Sequence, residues 1–202
     1  MSTSGFIYLA SQSPRRSQLL TQLGVRHQLL LADDDEDAEA LEAGRVGESP
    51  DLYVARVTAA KLAAARARRA ARDLPQVPVL CADTTVALGD RIFGKPRDAG
   101  ETLDTLQALA GRTHRVITAV ALAAGDADHH ALSISTVRFA AVGAATIARY
   151  VDSGEPFGKA GAYAIQSAAA AWIERIEGTY SGIMGLPLYE TAQLLKQAGV
   201  EF

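Results

Sequence analysis

Crosslinks, membrane segments and a large charge of one sign are all missing from this sequence. Its 202 residues include one cysteine, Cys81, which excludes an internal disulfide framework and a CxxC zinc motif. No run approaches the roughly 18 apolar residues of a membrane helix. Twenty basic and 23 acidic residues give a net charge of −3, so the chain does not coat nucleic acid through overall positive charge.

The signatures of several common enzyme classes are also absent. The chain has neither GxGxxG nor GxxxxGK[ST], which argues against dinucleotide-binding and P-loop folds. It has no GxSxG, and its four histidines lack metal-ligand spacing, so a serine hydrolase or a zinc enzyme is not indicated. The apolar run Phe6–Ala10 is followed too soon by basic residues to be a signal peptide. We therefore expect a soluble cytoplasmic protein that binds neither nucleic acid nor membrane.

Strand and helix signals alternate along the chain, which predicts an α/β fold with one antiparallel hairpin in the second half. No linker or repeat divides the sequence, and the stretches 32–50 and 154–171 give no clear helix or strand pattern. The predicted strands are Phe6–Ala10, His27–Leu31, Val77–Ala82, Thr113–Ala123, His130–Val142 and Trp172–Ile176. The first predicted helix begins at Pro14 and ends at Gly24. The other predicted helices cover Asp51–Arg72, 98–109, 144–153 and Pro187–Ala198.

The junction between the first strand and the first helix has the features of a phosphate site. Ser13 is a typical N-cap and Pro14 suits the first helical position. Free N–H groups and the helix dipole favour an anion there, whereas Arg15 and Arg16 oppose the usual preference for acids in the first turn. Such a local conflict is typical of a functional site. The alternative is that both arginines point into water and pair with acids.

Asp83 follows an apolar strand, at the edge of the predicted sheet, where ligands of α/β proteins bind. Its carboxylate is a candidate metal ligand or general base, or else it caps a turn that supports Thr84 and Thr85. Lys61 falls on or beside the apolar stripe of a long helix, and snorkelling to the surface is the alternative to a site role.

Further charged residues extend this set. Lys95 and Lys159 lie in glycine loops, where backbone can approach a ligand closely, although loop lysines are mostly solvated. The acidic run 33–37 could hold a divalent cation through oxygen ligands, or be a solvated face. Cations that bind phosphate, together with carboxylates that hold a metal, indicate phosphoryl or nucleotidyl chemistry.

Seven motifs, in this order, resemble those of the Maf family of nucleoside triphosphate pyrophosphatases. They span essentially the whole chain: Leu9–Arg16, Tyr53–Lys61, Ala82–Thr84, Gly94–Pro96, Thr113–Thr118, Gly154–Gln166 and Gly178–Leu188. The resemblance implies a Maf/ITPase-like α/β fold, with a mixed central sheet, flanking helices and an active-site cleft between two lobes. It implies a single domain over residues 1–202 and a homodimer.

The activity that the resemblance implies is hydrolysis between the α- and β-phosphates of a nucleoside triphosphate, with Mg²⁺ or Mn²⁺. By position in the family motifs, the catalytic residues would be Asp83, Lys61 and Glu36, with Asp83 as the proton acceptor. Asp83 and Glu36 would also hold the metal, and Asp34 or Asp35 lies close enough in sequence to replace Glu36. The substrate-binding positions are Ser11, Arg15, Arg16, Thr84, Lys95, Lys159 and Gln166, of which Arg15, Thr84 and Gln166 set base specificity.

Within the family, Ser-Pro-Arg-Arg and Lys-Ala-Gly-Ala-Tyr-x-Ile-Gln are similar to the subgroup that acts on dTTP and UTP. A glutamine amide both donates and accepts, so Gln166 suits the O4 and N3–H edge of thymine or uracil. Gly158 departs from the family pattern, which has Asp before the lysine, so the role of that acid is open while the other acids remain. Two alternatives stay open: a 7-methyl-GTP pyrophosphatase, and a non-enzymatic nucleotide-binding regulator of septum formation.

Overall fold

Strands and helices alternate along the chain. The computed structural model describes residues 5–33, 36 and 40–202. The strands are β1 (Ile7–Leu9), β2 (His27–Leu29), β3 (Val79–Leu88), β4 (Arg91–Phe93), β5 (Thr113–Ala124), β6 (Ala127–Phe139) and β7 (Ile173–Glu177). The α-helices are α1 (Pro14–Gln22), α2 (Pro50–Ala71), α3 (Ala99–Leu109), α4 (Ala144–Asp152), α5 (Tyr180–Met184) and α6 (Leu188–Gln197).

These strands form one mixed sheet in the order β2-β1-β3-β5-β6-β7, with β4 also paired to β3. β1 runs parallel to β2 and β3, because α1 and α2 lie in the crossover connections. The remaining pairs are antiparallel, and Gly125 and Asp126 form the two-residue turn of the long β5–β6 hairpin. The predicted mixed sheet with flanking helices is confirmed.

β3 changes its neighbour along its length, and this change opens the sheet. Val79 and Leu80 pair with β1, and Val86–Leu88 pair with β4. Between these two stretches, residues 81–85 pair with β5 alone among the described residues. The prediction that this strand ends at Ala82 was wrong, because pairing with β5 continues the strand through its polar residues. Asp83 therefore lies in mid-strand, at an opening in the sheet.

The two faces of β3 pack against different parts of the molecule. Cys81 faces α2 and packs with Leu62 and Ala65 of that helix in one buried cluster. Val86, on the opposite face, belongs to the largest buried cluster, which also contains Phe139. Because side chains alternate along a strand, Asp83 points to the α2 side and Thr84 to the other side.

Most predicted helices begin and end within about one residue of the observed ones. In α2, the Ser49 hydroxyl accepts a hydrogen bond from Leu52 N, and Pro50 occupies the first turn. β6 begins three residues before its predicted start, because the tight turn lets pairing with β5 begin at once. It ends at Phe139 rather than Val142.

The elements that the sequence did not predict are short. β4 and α5 have three and five residues, too few to show a periodic pattern. The unassigned stretch 154–171 contains the 3₁₀ turn Ala160–Ala162 and the start of a second one, Ala168–Trp172. The other unassigned stretch, 32–50, contains the 3₁₀ turn Ala40–Glu42. Among the described residues, no helix combines the length and the apolar character needed to cross a membrane.

Candidate active site

The β1–α1 junction presents two arginines to a cleft beside β3. Ser13 occupies the N-cap as predicted, but its side chain makes no capping hydrogen bond. Arg16 donates from Nε to Gly185 O (2.8 Å), from Nη1 to Ser11 Oγ (3.1 Å) and from Nη2 to Thr84 Oγ1 (3.4 Å). These bonds tie α1 to β3 and to the end of α5, so Arg16 is not the freely solvated side chain of the alternative interpretation.

Arg16 has no carboxylate partner among the ion pairs of the described residues. Burial lowers the pKa of its guanidinium, and the charge of Asp83 opposes that shift. Ser11 Oγ accepts from both Arg16 and Ser13 N (3.2 Å), which leaves its own proton to donate. A partly buried cation beside a free hydroxyl donor suits an anionic oxygen.

The opening in the sheet holds an ion-pair network centred on Lys61. Its ammonium donates to Asp83 Oδ1 at 2.5 Å and to Glu42 Oε1 at 2.7 Å. The side chains of Lys61 and Asp83 are only 20% and 12% exposed. Burial acts to lower the pKa of Lys61, but the charge of Asp83 and the hydrogen bonds to both carboxylates raise it overall. Lys61 therefore stays charged, and snorkelling to the surface is excluded.

The second predicted acid, Glu36, lies in the wall of the same cleft but has a different partner. Arg68 donates to both Glu36 oxygens, at 2.6 and 2.5 Å, and this bond lowers the Glu36 pKa to about 2. Asp34 and Asp35, the predicted substitutes, lie outside the described residues. The carboxylate that shares Lys61 with Asp83 is Glu42, which the sequence did not single out.

The segment 158–166 forms the facing wall of the cleft. Gly161 has φ +69° and lies so close to β3 that a Cβ would come within 2.7 Å of the Val86 side chain, so only glycine fits there. Gly158 has φ +71°, a conformation in which the Asp that is usual in the family would be strained. Gly158, which stands in place of that Asp, therefore suits a left-handed turn.

Lys159 and Gln166 lie near the two ends of this segment, and both line the cleft. The Lys159 ammonium donates to Glu155 O and has no carboxylate partner among the described residues. Burial, and then the charge of Arg15, lower its pKa. The exposed amide of Gln166 makes no hydrogen bond within the described part of the chain, so its donor and acceptor are available to a ligand.

The structure restricts what Thr84 can do. Its Oγ1 lies 2.8 Å from Thr118 Oγ1, and Thr118 donates its proton to Gly182 O at 2.8 Å. Thr84 must therefore be the donor to Thr118, while it accepts from Arg16. Toward a ligand, the Thr84 hydroxyl is left with acceptor capacity only.

The predicted site residues therefore line a single cleft of about 1150 Å³. Among the described residues of its wall, six cations face three acids, a surplus of three positive charges in a chain whose net charge is −3. The cations are Arg15, Arg16, Lys61, Arg68, Lys95 and Lys159, and the acids are Glu36, Glu42 and Asp83. Such a cleft suits a multiply charged anion.

The donor set also fits a divalent cation bound together with phosphate. Asp83 Oδ1 accepts a hydrogen bond from Lys61. Asp83 Oδ2 has no hydrogen-bond partner among the described residues, and it is accessible to solvent. Mg²⁺ is usually bound through one or two carboxylates plus substrate phosphates. No cluster of three metal-ligating side chains occurs among the described residues.

The sequence is similar to those of known proteins over almost its whole length. The profile of the family described as "Maf-like protein" matches residues 6–198. The dTTP/UTP pyrophosphatase of Cupriavidus pinatubonensis is 63% identical over 197 residues, which cover 98% of each chain. The protein of the same name from Ralstonia nicotianae is 61% identical over 96% of this chain and 94% of its own. That of Burkholderia pseudomallei is 61% identical over 98% of this chain and 95% of its own.

Proposed function

The chain belongs to the Maf family, and from this premise we propose that it hydrolyses dTTP and UTP to the nucleoside monophosphate and pyrophosphate. Three relatives at 61–63% identity over nearly the full chain are named dTTP/UTP pyrophosphatases. The structural observation that carries the proposal is the Lys61–Asp83 pair, which lies in a cleft with a surplus of positive charge. The triphosphate is the polyanion that this surplus suits.

In the reaction, a water oxygen attacks the α-phosphorus, and the bond from that phosphorus to the bridging oxygen breaks. Pyrophosphate leaves with the bridging oxygen, and the proton of the attacking water passes to Asp83, the positioned carboxylate. Lys61 stays charged and holds Asp83 by one oxygen, so the other oxygen is open to the water. Glu36 remains a proposed member of the catalytic set, on condition that its bond to Arg68 opens.

The charge that develops on the leaving pyrophosphate is offset by the cations of the cleft. Arg16 is held rigidly by three hydrogen bonds, so it stabilises charge with little reorganisation. Lys95 and Lys159 approach from the β4 side and from the facing wall, and Ser11 donates its free proton. Each is proposed to contact a phosphate oxygen.

We propose that the reaction depends on Mg²⁺ or Mn²⁺. Asp83 would hold the ion together with the substrate phosphates, and Glu36 would join it if released from Arg68. When bound, the ion would supply charge neutralisation at the phosphates and polarisation of the α-phosphorus. Removal of divalent ions with EDTA should abolish pyrophosphate release, and added Mg²⁺ should restore it.

Base choice is proposed to depend on Gln166, with Arg15 and Thr84 beside it. The unpaired Gln166 amide both donates and accepts, as the O4 and N3–H edge of thymine or uracil requires. Thr84 can contribute as an acceptor or through Arg16. We further propose that the enzyme works in the cytoplasm as a homodimer, which light scattering would test.

The test is a pyrophosphate-release assay across dTTP, UTP, CTP and 7-methyl-GTP. We expect turnover of dTTP and UTP, and a loss of about 10²–10⁴-fold in kcat for Asp83→Asn, the usual contribution of a positioned general base. Glu174→Gln, on the exposed strand β7, is the control and should leave kcat unchanged. Release of orthophosphate and dTDP instead of pyrophosphate would refute the proposal.

A further inference from the structure

Glu42 lies outside every motif that carries the family resemblance, yet its carboxylate lies in the centre of the cleft. Oε1 accepts from Lys61 at 2.7 Å and from Lys95 at 3.4 Å. Both lysines are proposed phosphate-binding residues. Glu42 Oε1 therefore lies between two cations that are proposed to bind the substrate. The side chain is 29% exposed, and the Lys61 bond lowers its pKa although burial acts to raise it.

The backbone around Glu42 is fastened to α2 rather than left to solvent. Tyr53 Oη donates to Glu42 O at 2.9 Å, and burial raises the pKa of this phenol to about 12, so it keeps its proton. Arg56 donates to Leu41 O at 3.5 Å and to Ala43 O at 2.9 Å, and Glu48 in turn holds Arg56 at 2.6 and 2.7 Å. The 3₁₀ turn Ala40–Glu42 is therefore a built support for the carboxylate.

We propose that Glu42 is a positioning residue of the active site that occupies the place of a phosphate oxygen in the free enzyme. By accepting a hydrogen bond from each lysine, its carboxylate holds Lys61 in contact with Asp83 and keeps Lys95 directed into the cleft until the triphosphate binds. This inference rests on the proposed function, because it takes Lys61, Lys95 and Asp83 as the groups that bind and hydrolyse the substrate.

The two parts of this role act on different kinetic constants. A negative charge between the lysines repels the incoming triphosphate and competes with it, so the charge of Glu42 raises KM. The hydrogen bond to Lys61 fixes that side chain, and with it the carboxylate that receives the proton, so the same residue raises kcat. Replacement of a residue that only stabilised the fold would not lower KM together with kcat.

Glu42→Gln separates the role from a structural one, because the amide keeps an acceptor of the same size without the charge. We expect kcat for dTTP to fall about tenfold, because the ion pair with Lys61 becomes a weaker hydrogen bond to a neutral amide. We expect KM to fall about threefold, because one like charge is removed from the cleft. Tyr53→Phe keeps the charge and loosens its support, so kcat should fall by about threefold with KM unchanged.

The control is Glu174→Gln, which neutralises an exposed carboxylate that pairs with Arg138 and contacts neither the two lysines nor the support of Glu42. Its kcat and KM should stay within about twofold of the wild-type values. Unchanged constants in Glu42→Gln would overturn the proposal, and so would a raised KM. If the variant also bound Mn²⁺ more weakly in a titration of the protein alone, Glu42 would instead be a metal ligand.

Titration with inorganic pyrophosphate tests the same inference without turnover. Glu42→Gln should bind pyrophosphate about threefold more tightly than the wild type, and Glu174→Gln should not. Weaker or equal binding by Glu42→Gln would contradict the placeholder role. Should the wild type release no pyrophosphate from any nucleotide, the proposed function fails, while this titration still decides whether Glu42 competes with a phosphate anion.

Discussion

Replacement of Lys61 by Met should destabilise the protein through the two acids that it leaves behind. Lys61 donates to Asp83 and Glu42, whose bonded oxygens are at most 5.2 Å apart. Two unpaired carboxylates at that distance repel by about 3 kcal/mol at an effective dielectric constant of about 20. Breaking a buried ion pair costs about 3–5 kcal/mol, and the partial exposure of this site places the expected cost near the lower value.

A loss of about 3 kcal/mol in a chain of this size lowers Tm by about 6–12 °C. The control is Lys95→Met: its exposed ammonium is 3.4 Å from Glu42, and the cost of losing such a surface pair is below about 1 kcal/mol. Urea unfolding at pH 8, followed by circular dichroism, measures both free energies of unfolding. Equal costs for the two variants would refute the ion-pair account of Lys61.

The pH dependence of the Lys61→Met deficit has a defined sign. In the wild type the pKa of Glu42 is lowered by Lys61 against the effect of burial, so this group contributes stability above its unfolded pKa and loses it as the pH falls. The variant lacks that contribution, and protonation relieves its carboxylate repulsion. The difference in free energy of unfolding should therefore be largest at pH 8 and shrink toward pH 4. A constant difference would contradict this linkage.

The remaining predictions concern both walls of the cleft and the buried histidine. Gln166→Ala should lower kcat/KM for dTTP and UTP far more than it shifts Tm, because the exposed Gln166 amide has no partner in the described chain. A uniform drop with an unchanged substrate ranking would show that Gln166 does not recognise the base. Arg16→Ala should weaken nucleotide binding and also lower Tm, since three hydrogen bonds are lost, and an unchanged Tm would contradict the observed ties to Gly185 and Thr84. Burial lowers the pKa of His114 from 6.5 to about 4, so the folded state favours the neutral imidazole. Because the unfolded chain binds the proton first as the pH falls, the wild type should lose about 3 kcal/mol of stability between pH 6.5 and pH 4. His114→Gln should show a smaller loss over the same range in urea unfolding, and an identical loss would assign the pH dependence to other groups.

The sequence predicted the parts of the fold that local signals govern. Ser49-Pro50 predicts the start of α2 because capping and the fixed φ of proline act within a few residues. The extent of β3 was mispredicted because Asp83 and its threonines resemble the end of a strand, whereas their pairing with β5 joins residues over 30 positions apart. Long-range pairing overrides local polarity there.

The same limit applies to the site. Motif resemblance predicted the residues that line the cleft, and Lys61, Asp83 and Lys159 all lie in it. Glu42 was missed because it belongs to an acidic stretch without periodicity, and its position depends on the docking of residues 40–43 against α2. No short-range signal encodes that docking. The pairing of Glu36 with Arg68, 32 residues away, was beyond local prediction for the same reason.

Hydrolysis of dTTP in H₂¹⁸O, with both products analysed by ³¹P NMR, tests the site of attack directly. If water activated by Asp83 attacks the α-phosphorus, one ¹⁸O atom must appear in dTMP and none in pyrophosphate. Attack at another phosphorus would place the label in pyrophosphate or orthophosphate. The account predicts labelled dTMP with unlabelled pyrophosphate, and label in pyrophosphate would contradict it.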